Sequence, residues 1–265
     1  TNMILDLFKL TDKVAIVTGA GKGIGKGIAL AFAQAGADVV CAARTQADID
    51  ATVAEIEKLG RRALAVQCDV LNTEDLDKLV DATMETFGKI DILVNNTGGA
   101  MPCPAMETTE EFFEATLRFN VTTAFMLSTK VARKMVETSE MGAIVNISSR
   151  SSDMVQTAFV AYGAGKAAMN MMTRNMAPEF APKIRVNAIS VGGVATDSLK
   201  VVLQNEAARK QFNDGVPMKR PGEVEDIAAA ALYLASPAAS WVTGKVFQID
   251  GGVSAPAIWV PTPPL

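Results

Sequence analysis

Val14-Ala15-Ile16-Val17-Thr18-Gly19-Ala20-Gly21-Lys22-Gly23-Ile24-Gly25-Lys26-Gly27 is the stretch whose reading decides the fold of this chain. Four apolar, strand-forming residues and a threonine run into a turn with glycine at 19, 21, 23, 25 and 27, and a helical stretch follows directly. Glycines in such a turn let the backbone approach a pyrophosphate closely, and the amides and positive dipole of the helix start receive its charge. A glycine-rich loop alone is equally a flexible turn. Its position between a first strand and a first helix is what points to dinucleotide binding.

Working outward, short β-rich runs alternate with helical stretches from end to end. Strands are expected at 14–18, 39–43, 63–68, 92–95, 144–148, 185–189 and 246–249. Helices are expected at 23–35, 46–59, 73–87, about 109–138, 158–180 and 223–235. This alternation predicts an α/β fold, a doubly wound parallel seven-stranded sheet of Rossmann type with helices on both faces. Its ligand crevice should lie beyond the carboxyl ends of the strands. The chain reads as one domain, 1–265, with a substrate loop at about 195–216 and a C-terminal tail at 253–265. Pro256, Pro261, Pro263 and Pro264 forbid a helix in the tail, and Ile258 and Trp259 are too apolar to stand free in water. The tail is therefore expected to pack on the body or on another subunit.

Of the 265 residues 49% are hydrophobic and 20% charged, the balance of a globular chain with a large core. The formal charge of −4, without a basic run, argues against a nucleic-acid surface. Cys41, Cys68 and Cys103 are odd in number and lack CxxC spacing, so neither a disulfide framework nor a metal site is suggested. No signal pattern and no bilayer-length apolar run is read, which leads to the expectation of a cytoplasmic protein with no membrane partner.

The end of the second strand bears on which cofactor is bound. An acid there would bond the ribose 2′-hydroxyl of NAD, whereas an arginine suits the 2′-phosphate of NADP. The sequence has Ala42-Ala43-Arg44-Thr45, and Arg44 with Lys22 could clamp a phosphate. NADP(H) is favoured and NAD(H) remains open. The alternative for Arg44 is a solvated loop charge.

Tyr162-Gly163-Ala164-Gly165-Lys166 puts a phenol and an ammonium one helical turn apart, on one face. The chain has no histidine, so tyrosine is among the few proton shuttles left. A nearby fixed cation would favour the phenolate of a group whose pKa is ordinarily about 10.

Thr18-Gly-x-x-x-Gly23-x-Gly25, Asn95-Asn96-Thr97-Gly98, Ser149 and Tyr162-x-x-x-Lys166, in that order and over essentially the whole chain, resemble the short-chain dehydrogenase/reductase family. The resemblance implies a nicotinamide cofactor, a small-molecule substrate and a homotetramer or homodimer. It implies that Tyr162 gives a proton to, or takes one from, the reacting oxygen, that Ser149 orients that oxygen, and that Lys166 lowers the tyrosine pKa and binds the nicotinamide ribose. Asn120, in Arg118-Phe119-Asn120-Val121, corresponds to a helix asparagine that holds a relay water. Implied cofactor contacts are Gly19, Gly21, Lys22, Gly23, Ile24 and Gly25 in the turn, Arg44, Asp69 and Val70, Asn96 and Gly98, Tyr162 and Lys166, and Val194 and Thr196. Asn95 corresponds to a residue that stabilises the central sheet.

Two departures stand out: Thr97 replaces the usual alanine, and Ser190-Val191-Gly192-Gly193 replaces the usual Pro-Gly after the sixth strand, which predicts a more flexible loop there. Substrate contacts are expected from 99–103, 150–155 and 195–216, which offer Met101, Met154, Val155 and Leu199, with Phe159 beside them. Arg150 is the charged exception among these expected contacts, the alternative for it being an exposed loop cation. Several stretches, among them Ser236-Pro237-Ala238-Ala239-Ser240-Trp241-Val242, are most similar to bacterial hydroxysteroid dehydrogenases of the family. A bulky apolar alcohol or ketone is the expected substrate, a β-ketoacyl thioester the alternative. A non-catalytic dinucleotide sensor or scaffold is the reading from another class.

Overall fold

The computed structural model describes residues 3–257 and 259–263. Among these residues seven strands form one sheet: β1 (Val14–Thr18), β2 (Asp38–Ala43), β3 (Ala63–Gln67), β4 (Ile92–Asn95), β5 (Gly142–Ser149), β6 (Ile184–Val191) and β7 (Val246–Ile249). Their order is β3-β2-β1-β4-β5-β6-β7, and every pairing is parallel. The order reverses between β1 and β4, the point at which a doubly wound sheet opens a crevice. Helices α1 (Gly23–Gln34), α2 (Gln46–Lys58), α3 (Thr73–Phe87), α4 (Glu110–Leu117), α5 (Thr123–Thr138), α6 (Val160–Phe180), α7 (Asp197–Leu203), α8 (Glu206–Gly215) and α9 (Val224–Ala235) supply the connections.

Side chains alternate between the two faces of each strand. Ala15, Val17, Val39 and Cys41 join Ile28, Phe32 and Ile227 in one core, while Ile16, Val40 and Leu93 join Leu76, Leu79 and Val131 in the other. Burial on both faces explains the near-continuous apolar strands; every residue of β1 and β6 is buried. Helix α3 shows the local logic of a two-faced element. Leu76, Leu79, Val80 and Thr83 fall at helical spacing on its buried face, the Asn72 side chain accepts from the Glu74 amide, and Gly88 ends the helix at φ 74°. Cys41 and Cys68 are buried small hydrophobes, and burial pushes both thiols up to about 12.

Two expectations need correction. The long helix at about 109–138 is interrupted by a π turn, Arg118–Thr122, which carries Asn120, whose side chain bonds the backbone of the neighbouring Gly99. The stretch 195–216 is helical rather than a loop. Helix α8 is capped by Asn205, whose side chain accepts from the Ala208 amide, and buries only Phe212, so its apolar periodicity is too thin to register. No helix among the described residues is long and apolar enough to cross a membrane.

Candidate active site

The carboxyl ends of β1 and β4 are stitched together. The Thr18 hydroxyl accepts from the amides of Asn96 (3.0 Å) and Thr97 (3.2 Å), and Asn96 Nδ2 donates to the Thr18 carbonyl (3.0 Å). Against this seam the glycine turn is pressed so closely that a Cβ at Gly25 would lie 2.2 Å from the Gly19 carbonyl oxygen. Gly19 itself turns at φ 64°. The result is a backbone cradle at the start of α1 that side chains would fill, as a pyrophosphate site requires.

Beside the cradle lies a cavity of about 290 Å³. Gly19, Gly21, Lys22, Arg44, Asp69, Val70, Asn96 and Gly98 all line it, as expected of them. The Lys22–Arg44 clamp is only half formed, because the Lys22 ammonium sits 3.1 Å from Asp48 Oδ2 and Arg44 stands exposed at the rim. Asp48, from the first turn of α2, is a residue the sequence reading missed. No motif marks it; it reaches the cavity because Gly21 has no side chain, and a Cβ there would fall 2.7 Å from that of Asp48.

A second cavity, of about 880 Å³, shares Lys22, Asn96 and Gly98 with the first, so the two form one trough along the strand ends. Gly23, Ile24, Ser149, Tyr162, Lys166, Val194 and Thr196 line it. Ser149 is the last residue of β5, and α6 presents Tyr162 and Lys166 from successive turns of its inner face. Lys166 Nζ donates to the Ile147 carbonyl (2.9 Å) and stands 5.8 Å from the centre of the Tyr162 ring. Burial pulls the Lys166 ammonium down to about 8. Burial also raises the Tyr162 phenol above its ordinary value, with the Ser149 hydroxyl acting in the opposite direction. Lys166 is thus close to the Tyr162 ring but bonded to a carbonyl, and the causes that shift the phenol here are burial and Ser149.

Asn120 is fully buried and lines neither cavity. Its Oδ1 accepts from the Gly99 amide and its Nδ2 donates to the Gly99 and Thr116 carbonyls, each at 2.9 Å. Both ends of the amide are engaged by protein groups, so its side chain fixes the Gly98–Gly99 loop rather than presenting a free hand to water. A Cβ at Gly98 would lie 2.8 Å from Asn120 Oδ1 and 3.0 Å from Lys166 Nζ, so these three residues are in close register. Asn95 behaves as a sheet residue, donating to Asn146 Oδ1 (2.8 Å) and Ser128 Oγ (2.9 Å).

For Arg150 the alternative of an exposed loop cation does not hold: its side chain is 11% exposed, with Nε 2.7 Å from Asp250 and Nη1 2.7 Å from Asp153. Two further expectations change. The Gly192-Gly193 run is packed rather than loose. A Cβ at Gly193 would fall 2.4 Å from the Phe212 ring, and one at Gly192 would fall 2.7 Å from the Asp250 backbone. Val155 is exposed and lines neither cavity near Ser149. The tail lies on the body of its own chain. Thr157 Oγ1 donates to the Val260 carbonyl (2.6 Å), while Ile258, Pro264 and Leu265 lie outside the described residues.

Comparison with known proteins agrees with this architecture. Residues 19–254 match the family model described as Enoyl-(Acyl carrier protein) reductase. The chain is 44% identical over 263 residues to an uncharacterized oxidoreductase of Mycobacterium tuberculosis, covering 99% of this chain and 100% of that one. It is 42% identical over 248 residues to the 7alpha-hydroxysteroid dehydrogenase of Escherichia coli K12, covering 93% and 96%. A 7α-hydroxysteroid dehydrogenase solved with NADH and 7-oxo glycochenodeoxycholic acid superposes with a TM-score of 0.90 at 40% identity, covering 94% of this chain and 97% of that one. The chain belongs to the short-chain dehydrogenase/reductase family and is an oxidoreductase.

Proposed function

We propose that the protein transfers hydride between NADP(H) and a bulky, apolar secondary alcohol or ketone of hydroxysteroid type. The observation that carries this reading is the meeting of Ser149, Tyr162 and Lys166 in a cavity continuous with the glycine cradle. The cradle and the residues along the trough would hold the dinucleotide, whose nicotinamide supplies the hydride chemistry.

This chain's side chains do the rest. Burial keeps Tyr162 protonated near neutrality, which suits a donor to the oxygen of a ketone being reduced. Ser149 donates a hydrogen bond to the same oxygen, where negative charge develops. The Lys166 ammonium adds positive charge to that corner of the site. Asn120 holds the Gly98–Gly99 loop in place. In the direction of alcohol oxidation Tyr162 takes the proton back.

The preference for NADP(H) is supported by Lys22 and Arg44 at the rim, with Asp48 acting against it. The bulky apolar substrate is supported by Met101, Phe159 and Leu199 on the cavity wall and by the 7-oxo glycochenodeoxycholic acid held by the similar 7α-hydroxysteroid dehydrogenase. We further propose a cytoplasmic homotetramer or homodimer. The experiment is a panel of ketosteroids, simple ketones and a β-ketoacyl thioester, each assayed with NADPH and NADH. Steroid reduction with NADPH as the preferred donor supports the reading; turnover of the thioester alone, or nucleotide binding with no turnover, contradicts it.

A further inference from the structure

The large cavity has a side chamber of about 250 Å³ that no step of hydride transfer requires. The two communicate past Ser149, Gly193 and Leu199, and the chamber is closed on its far side by Met154, Phe212, Val253 and Ala257. Phe212, Val216 and Val253 form a small hydrophobic cluster of their own, with Met154, Leu199 and Ala257 packed against it. This third cluster is separate from the two that cover the sheet.

Val253 and Ala257 of the far wall are chain from beyond β7, and this segment is held at two points. Arg150 Nη2 donates to the Val253 carbonyl (3.4 Å), and Thr157 Oγ1 donates to the Val260 carbonyl (2.6 Å). Arg150 follows Ser149 directly, and Thr157 lies between Ser149 and Tyr162, so the tail is tied to the segment that carries the site. It also lies hard on α8, where a Cβ at Gly215 would come 3.1 Å from the Ala257 Cα. Contact this close, with a tether on either side of it, makes the wall a fixed surface.

Among the described residues, the chamber's one cation is already spent. Arg150 is engaged by two carboxylates, Asp153 and Asp250, at 2.7 Å each. One guanidinium against two carboxylates leaves no positive charge to receive an anion, and the remaining lining is largely apolar.

We propose that residues 253–257 are the specificity wall of this protein: they close an apolar, anion-rejecting subsite for the uncharged end of the substrate remote from its reacting oxygen. The identity of the reacting oxygen rests on the oxidoreductase reading above; the chamber does not. Arg150 is then a positioning residue, which ties the wall to Ser149.

The experiment uses the full chain and measures calorimetric binding of two probes, a neutral four-ring ketosteroid and the same ring system bearing a carboxylate side chain, alongside turnover of cyclohexanone and of both steroids. The neutral probe is expected to bind more tightly than the carboxylate. Ala257→Phe, which puts a ring into the chamber, is expected to weaken the neutral probe at least about tenfold, the scale on which apolar pockets discriminate. Thr157→Val, which removes the tether at Val260, is expected to weaken it several-fold, and this variant decides the matter if Ala257→Phe loses cooperative unfolding. Unaltered steroid affinity in the folded variants, or tighter binding of the carboxylate, overturns the subsite. Weakened steroid binding with no turnover of any ketone leaves the subsite standing and removes the oxidoreductase reading; turnover of all three ketones with unaltered affinities does the reverse.

Discussion

The carboxylate of Asp48 lies 3.1 Å from the ammonium of Lys22, inside the cavity where the ribose end of a dinucleotide is proposed to bind. A 2′-phosphate would have to draw Lys22 away from this acid and then sit beside it. Asp48→Asn should therefore tighten NADPH binding by roughly fivefold, the worth of an exposed ion pair of about 1 kcal/mol, and leave NADH within about twofold. Arg44→Ala should do the opposite and weaken NADPH far more than NADH. Calorimetric affinities for both nucleotides check this, and equal changes for the two would remove the proposed phosphate site.

Lys166 makes a prediction about stability and pH. Its ammonium is pulled from 10.5 to about 8 in the folded protein, so between those values the unfolded chain binds more protons than the folded one. Stability conferred by this group accordingly rises with pH from about 8 to about 10.5 and is flat below, with a total of a few kcal/mol at about 1.4 kcal/mol per pKa unit. In denaturant titrations the stability of the protein minus that of Lys166→Met should climb across this window. A difference independent of pH would mean that the buried amine is not destabilised as described.

Gly193 and Phe212 interlock, since a Cβ on the glycine would reach to 2.4 Å from the Phe212 ring. Gly193→Ala should cost about 1–3 kcal/mol through overpacking. Adding Phe212→Leu should recover part of that loss, because the smaller side chain vacates the collision. Thermal unfolding of the single and double variants measures both effects, and simple additivity of the two substitutions would contradict the contact.

Much of this was legible in the sequence. All seven strands stand where apolar, β-rich runs put them, to within two residues at each end, because parallel strands buried on both faces leave an uninterrupted apolar signal. Most of the expected cofactor residues line the trough, since they follow strand ends and glycine spacing. The π turn was invisible because inserting one residue into a helix barely alters its composition. Helix α8, with only Phe212 buried, carried almost no periodic signal. Asp48 was missed, and the burial of Arg150 was not legible, for a common reason: both depend on partners distant in sequence, Lys22 for one and Asp250 for the other. Charge pairing across the fold leaves no local pattern to read.

The central claim is that Tyr162 moves the proton, and the most direct measurement compares ketone reduction and NADPH affinity in Tyr162→Phe with those of the unaltered protein. Loss of a general acid removes a factor of about 100 to 10,000 in rate. The account predicts a fall in kcat/KM of at least about a hundredfold, with NADPH still bound within about threefold of its original affinity. Turnover within about tenfold of the unaltered protein would contradict it.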